Sequence, residues 1–297
     1  MKTKLKAHLW TLPRWFATPL FAAPAILGGL LAGGMTVNSW LGVIATVLIM
    51  AGGHSFNSFL DYAWTGLDKG EPENRSAEKD YAGGQSVIAA GIVTQREVAI
   101  NAFAWYLLAL IPLIYLAINV SMWILLIGFL GMLVTVAYSK SKFNYTHETV
   151  LGISSGPLAV LAGMFATTGS PPWVTGLIVS VPSFVMISFV GLAVDEWPDA
   201  EANLKKGVKS ISYKVWEYGV SLEWYVSSWL MFIFMYQVFL IAAGYLHPLS
   251  AISFLVWPFF MSFLVMAKKD FRKWAGLIIL VGVIYPVLLV LGQFWGS

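Results

Sequence analysis

The sequence predicts an all-α membrane protein, with nine transmembrane helices bundled around a lateral or central cavity, the N-terminus inside and the C-terminus outside. Three observations predict it. Hydrophobic residues make up 58% of the 297-residue chain and charged residues 11%, against about 45–50% and about 25% in soluble domains. Apolar runs near the length of a bilayer span, about 20 residues, recur from one end of the chain to the other. All 18 Lys and Arg residues precede or begin the first run or fall between alternate runs after it. A mean hydropathy of +0.74 would leave a mostly apolar surface, which a bilayer requires and water tolerates only in small patches.

The apolar runs and their breakers give the spans in order. The first, 13–33, follows Lys2, Lys4 and Lys6 and begins with Arg14. Pro13, Pro19 and Pro24 interrupt it, and so many spans follow that a cleaved secretory leader is disfavoured. The second, 39–61, is followed by Lys69, Arg75, Lys79 and Arg96, and the third and fourth occupy 97–117 and 121–138. Lys140 and Lys142 separate the fourth from the fifth, 149–168, and the sixth is 173–194. Lys205, Lys206, Lys209 and Lys214 precede the seventh, 220–244. The eighth, 249–267, is separated from the ninth, 274–294, by Lys268, Lys269, Arg272 and Lys273. Lys and Arg accumulate in cytoplasmic loops, so a miscounted span would have put some bases on the other face.

The whole chain, 1–297, reads as a single transmembrane domain, with loops of about 62–96 and 195–219 capping a site. The formal net charge of +3 reports orientation in the membrane and gives no indication of nucleic acid. With no cysteine, a thiol nucleophile, a disulfide and a thiolate metal site are excluded. The four histidines form no i, i+4 pair, and no Walker loop, dinucleotide fingerprint or Ser/His/Asp pattern is present.

Of the 15 acids, ten fall in two segments on the predicted cytoplasmic side. Asp61, Asp68, Glu71, Glu73, Glu78 and Asp80 follow the second span, and Asp195, Glu196, Asp199 and Glu201 follow the sixth. At 100° per residue, Asn57, Asp61 and Asp68 lie within about 40° of one another if the helix continues. Asp195 and Asp199 form an i, i+4 pair that Asn203 extends. Paired carboxylates at inner helix ends are costly unless a cation offsets them. Hard divalent ions held by one or two carboxylates plus substrate phosphate suit such pairs, and the interleaved bases suit the phosphate. The plain alternative, interfacial acids solvated beside lysines, fits Glu71, Glu73, Glu78 and Asp80 best.

At these segments the sequence resembles the UbiA superfamily of intramembrane prenyltransferases over nearly its whole length. Asn57, Asp61 and Asp68 match the first Asp-rich motif, and Asp195 and Asp199 the second. Asp61-Tyr62, Gly83-Gly84, Val87-Ile88, Gly91, Arg96-Glu97-Val98, Tyr138-Ser139-Lys140 and Glu196-Trp197-Pro198-Asp199 resemble the menaquinone-type branch, that of dihydroxynaphthoate polyprenyltransferases. Departures are Ser58 for a usual Asp, Asn203 for a common acid, and Gly207-Val208-Lys209-Ser210 for Gly-Lys-Arg-Thr. The resemblance implies transfer of a polyprenyl group from its diphosphate to a small acceptor, aromatic or a prenylated glycerol phosphate, in quinone or lipid biosynthesis. It implies a multi-pass protein of the cell membrane, among membrane lipid, with its site toward the cytoplasm. Asp61, Asp68, Asp195 and Asp199 would hold two Mg2+, with Asn57 hydrogen-bonding at the same cluster. Lys209, Arg75, Lys140 and Lys79 would meet the diphosphate, and Tyr138 heads the candidate aromatics Tyr62, Trp64, Tyr145 and Trp197. Gly83-Gly84 would be a hinge or a plain turn, and His54 a packed histidine or a cavity contact.

The rival class is a secondary transporter, since intramembrane acids often mark ion paths. Transporters place discontinuous helices and coupling acids near mid-membrane, whereas these acids gather at one face. A silent homologue that binds the diphosphate is a third reading, left open by Ser58 and Asn203. The absence of native cysteine makes orientation directly measurable. With an impermeant maleimide on sealed cells, Gly169→Cys is expected to label and Asn144→Cys to stay unlabelled until the membrane is opened.

Overall fold

The structure is a computed structural model that describes residues 2–69, 86–197, 200–267 and 271–296. Among the described residues there is no strand, and nine helices are long and apolar enough to cross a membrane. They are α1 (Thr3–Leu31), α2 (Val37–Ala63), α3 (Gln95–Asn119), α4 (Trp123–Ser141), α5 (His147–Thr167), α6 (Trp173–Glu196), α7 (Leu222–Ala242), α8 (Pro248–Met266) and α9 (Gly276–Gly296). The nine predicted spans each fall on one of these. The largest difference is at the start, where α1 begins ten residues upstream of Pro13 and carries its break inside, at Arg14 (φ 52, ψ 57).

Local chemistry sets several boundaries. Thr36 and Ser39 form a reciprocal capping box at the start of α2, and Thr94 and Glu97 do the same for α3. The Ser221 hydroxyl accepts the Trp224 N–H at the start of α7. α5 and α6 each contain a wider π turn, at Ser154–Leu158 and Met186–Gly191. Pro157 lies within the first and Pro182 one turn before the second, and proline removes a helical N–H and displaces the backbone around it.

Helices with apolar faces on all sides gain nothing from hiding apolar surface from lipid, so their contacts rest on close packing. Glycines supply it where α1 crosses α5. A Cβ on Gly163 would stand 1.8 Å from the Ala25 carbonyl oxygen, and one on Gly28 2.0 Å from that of Val160. On α3, Ile100, Phe103, Leu107, Ile111, Ile114 and Ile118 are exposed, as a lipid-facing surface requires.

Polar contacts join the start of α1 to that of α3, where Lys4 Nζ lies 2.9 Å from Glu97 Oε1 and the Asn101 amide donates to His8 O. The same end of the molecule collects the end of α2, the end of α4, the start of α5 and the end of α6. At the other end, Ser39 and Thr167 hydroxyls meet at 2.8 Å, joining the start of α2 to the end of α5. The expected stability signature is specific. Gly163→Leu should lower thermal stability in detergent by about 1–3 kcal/mol or more through overpacking, while Gly276→Ala, with nothing within 4 Å of the new carbon, should not.

Candidate functional site

Asp61 sits in the last turn of α2 and is fully buried. The condition for Asp68 to share the face of Asn57 and Asp61, a helix continuing that far, is not met, because α2 stops at Ala63. Thr65 Oγ1 donates back to Asp61 O, and Gly66 turns at φ +72, a conformation cheap only for glycine. The turn carries the chain back until Asp68 N–H also donates to Asp61 O at 3.2 Å. Asp68 is therefore buried beside Asp61 by a tight return of the chain, not by helical register.

Lys142, just past α4, places Nζ 2.6 Å from Asp61 Oδ2 and 4.9 Å from the centre of the Tyr138 ring. Burial alone would push the ammonium toward neutrality, but Asp61, with Asp68 and Glu196 behind it, outweighs this and raises the Lys142 pKa. A group raised in the folded state keeps its stabilising charge below its unfolded pKa and loses it only as pH climbs through the folded value. Lys142 is thus an ammonium throughout the neutral range.

A second buried cluster holds the end of α6. His147 Nε2 lies 3.2 Å from Glu196 Oε2, and its Nδ1 lies 3.3 Å from Glu148 Oε2. The other oxygen of Glu148 accepts from Ser210 Oγ at 2.7 Å and from Ile211 N–H at 2.6 Å. Lys206 Nζ donates to Leu67 O, and Lys209 N–H donates to Lys142 O. The segment after α6 is thereby tied to both acid-bearing ends.

A cavity of about 180 Å3 opens beside these groups, lined at its polar end by Arg14, His54, Asn57, Tyr138 and Asp195. Asp61 lies one helical turn past the lining residue Asn57, and Lys142 Nζ lies against the ring of the lining residue Tyr138. The lining continues along α2 from Asn57 to Gly42, about 22 Å of helical rise. Leu113, Ile124, Leu158 and Ile278 supply apolar walls there. The arrangement suits an amphiphile with an anionic head at the charged end and a hydrocarbon tail along the bundle.

Of the residues singled out by sequence, Asn57, Asp61, Asp68, Tyr138 and Asp195 gather here; the Asn57 amide donates to Ser139 Oγ at 2.8 Å. Lys140 and Lys209 are exposed, stacked over Trp64 and Tyr145. Arg75, Lys79, Asp199 and Gly83-Gly84 lie outside the described residues. Lys142, His147 and Glu148 were missed as site residues. The i, i+4 spacing from Tyr138 to Lys142 was a usable signal for the first; the contact between His147 and Glu196 spans 49 residues and had none.

The side chains at this end can be matched to Mg2+ on one observation. Asp61 Oδ1 is buried and has no hydrogen-bond partner among the described residues, so a lone pair is available to a hard cation. No three His, Asp or Glu side chains among the described residues converge to hold an ion alone. Magnesium combines one or two carboxylates with substrate phosphate, and Asp61 Oδ1 can supply one such oxygen.

The model of the UbiA prenyltransferase family matches residues 21–284. No curated protein matches by sequence. Among solved structures, an apo UbiA homologue from Aeropyrum pernix K1 aligns at TM-score 0.70 with 17% identity, covering 93% of this chain and 96% of that one. A UbiA homologue from Archaeoglobus fulgidus bound to DMAPP and Mg2+ aligns at 0.63 with 15% identity, covering 94% and 98%. A digeranylgeranylglyceryl phosphate synthase aligns at 0.63 with 17% identity, covering 99% and 100%. At these identities the likeness is one of fold.

Removing one member of a buried ion pair strands the other, at a cost of about 3–5 kcal/mol, whereas removing both costs much less. Lys142→Met should therefore destabilise the protein strongly, and Lys142→Met combined with Asp61→Leu should recover much of the loss. Denaturation in detergent of the full double-mutant cycle measures the coupling.

Proposed function

We propose, because the chain belongs to the UbiA prenyltransferase family and is an enzyme that transfers prenyl groups, that it moves a polyprenyl group from its diphosphate to an aromatic acid acceptor. The observation that carries this reading is the buried Asp61–Lys142 pair beside a cavity that is charged at one end and apolar along its length. Binding of DMAPP, GPP and Mg2+ by the Archaeoglobus fulgidus homologue supports the donor and the metal.

In this reading Asp61, Asp68, Asp195 and Asp199 hold two Mg2+. When bound, the ions neutralise charge building on the departing diphosphate. Lys142 stays beside Asp61, next to the diphosphate oxygens, and Arg75, Lys79, Lys140 and Lys209 add positive charge around the cavity mouth. Asn57 fixes the geometry of the cluster through Ser139. The Tyr138 ring faces the carbocation left by ionisation, where an aromatic face stabilises positive charge and the apolar walls keep water out. The acceptor attacks the allylic carbon, loses a proton and leaves prenylated.

The chain acts as one domain in the cell membrane, with the Asp61 end toward the cytoplasm, the side to which the sequence pattern of Lys and Arg assigns it. The menaquinone-type motifs favour a naphthoate-like acceptor. The fold likeness to digeranylgeranylglyceryl phosphate synthase supports a second reading, in which the acceptor is a prenylated glycerol phosphate.

Purified protein should bind geranyl diphosphate only with Mg2+. Asp61→Ala and Asp199→Ala should abolish that binding and lower transfer at least about a hundredfold, the scale of losing a preorganised electrostatic contact. Calorimetry with and without EDTA checks it, and metal-independent binding by the wild type would sink the metal-bridged mechanism.

A further inference from the structure

In the proposed reaction Lys209 adds charge at the cavity mouth, yet it stands on irregular backbone between two short helices. A long exposed side chain there points usefully only if the main chain on both sides is fixed. On the N-terminal side, Gly207 turns at φ +81, with nothing within 4 Å of the carbon a side chain would add. Val208, only 3% exposed, then packs with Leu67 and Tyr213. Where the family pattern has a base, this chain has an apolar anchor. Lys209 N–H donates to Lys142 O at 2.7 Å, so the two bases are joined through the backbone beside Asp61.

On the C-terminal side the fixing group is Glu148, a carboxylate only 2% exposed that the diphosphate machinery leaves unused. Its Oε1 accepts from Ser210 Oγ at 2.7 Å and from Ile211 N–H at 2.6 Å. Ser210 occupies the cap position of the short helix Ile211–Glu217, but its hydroxyl makes no capping bond. Glu148, 62 residues earlier in the chain, takes the N–H of the first helical residue in its place. The second oxygen of Glu148 faces His147 Nδ1 at 3.3 Å, and His147 Nε2 lies 3.2 Å from Glu196 Oε2. A buried carboxylate is costly unless its oxygens are paired or hydrogen-bonded, and both are engaged with protein groups. Glu148 is not among the residues that line the cavity, so its burial serves the backbone around Lys209.

We propose that Glu148 is a positioning residue for Lys209: by holding Ser210 and Ile211 from inside the bundle, it fixes the backbone from which Lys209 meets the departing diphosphate. The proposal rests on the prenyl-transfer reading. Glu148 touches no substrate in it and acts only through Lys209. What position 148 must supply is one acceptor oxygen for two donors, which a glutamine retains and an alanine lacks.

The test is a double-mutant cycle on the full chain in detergent, read as geranyl diphosphate binding at saturating Mg2+. Lys209→Ala should weaken binding by about tenfold, the scale of one charge-assisted contact. Glu148→Ala should weaken it by a similar factor, and adding Lys209→Ala to it should cost less than about twofold more, because the contact is already lost. Glu148→Gln should recover most of the affinity, a rescue that a loss of packing would not show. Ser210→Ala removes one donor and leaves the buried carboxylate in place; its smaller loss should also vanish in the Lys209→Ala background, and this cycle decides the matter if Glu148→Ala does not fold. Additive losses, or a folded Glu148→Gln no better than Glu148→Ala, would overturn the proposal. Unchanged binding in Lys209→Ala would overturn it too, with the transfer reading intact. If the wild type does not bind geranyl diphosphate with Mg2+, the transfer reading itself falls and takes this proposal with it.

Discussion

Asp61 is held wholly out of water at the end of an apolar helix, and the cation it needs comes from Lys142, 81 residues further along the chain. Neither charge would be tolerable there alone. Their pairing fixes the end of α2 against the turn between α4 and α5, and Lys142 O accepts the Lys209 N–H, which brings in the segment after α6. In the proposed reaction the pair would also place a positive charge beside the bound anion. Lys142 occupies Asp61 Oδ2 and leaves Oδ1 without a partner among the described residues, so Asp61 would hold a cation through Oδ1 while Lys142 stayed beside it, next to an anion bound there.

The cavity beside this pair exists because some helices pack very closely and others cannot. Gly28 and Gly163 let the backbones of α1 and α5 nearly touch, and Gly152 and Gly156 bring α5 against Phe184 and Ser188 of α6. In the same two helices the π turns interrupt the regular ridge pattern, and Ser154, Leu158, Met186, Ile187, Val190 and Gly191 from those turns line the open space. π turns often lie at functional sites because they displace one residue from helical register. Tight glycine crossings hold the frame, so that wall can depart from ideal packing.

The spans and their alternation were legible because both follow from one-dimensional rules: apolar length sets a crossing, and the side on which bases accumulate sets its direction. Asp61 and Asn57 were legible because α2 stays helical to Ala63. Helical register aligned Asp68 only on the condition that the helix continued; a turn through Gly66 brings it back to Asp61 instead. The true base partner of Asp61 was not separable from Lys140 by composition, since both lie in the short stretch where α4 ends before α5. Only helical phase distinguishes them: Lys142 lies i, i+4 from Tyr138 and turns inward, while Lys140 lies out over Trp64. His147, Glu148 and Arg14 depend on contacts between distant segments or on one left-handed residue, and no local pattern encodes these.

The departures from the family motifs at positions 58 and 203 belong to the same framework. Ser58 is fully buried and its hydroxyl donates to His54 O at 3.1 Å, so the position serves the wall of α2 on which His54 sits. Asn203 Nδ2 donates to Tyr213 Oη at 3.1 Å, and Tyr213 in turn donates to Glu196 O at 3.0 Å. The direction of that relay requires a donor at 203. A carboxylate there has no N–H to give, so Tyr213 would have to donate to the carboxylate and abandon the Glu196 carbonyl. Glu196 is the residue that His147 holds, and it adjoins Asp195. An acid at 203 would thus loosen the support of the second acidic segment while adding charge to it. In the proposed metal set of Asp61, Asp68, Asp195 and Asp199, the amide at 203 serves by holding that segment in place.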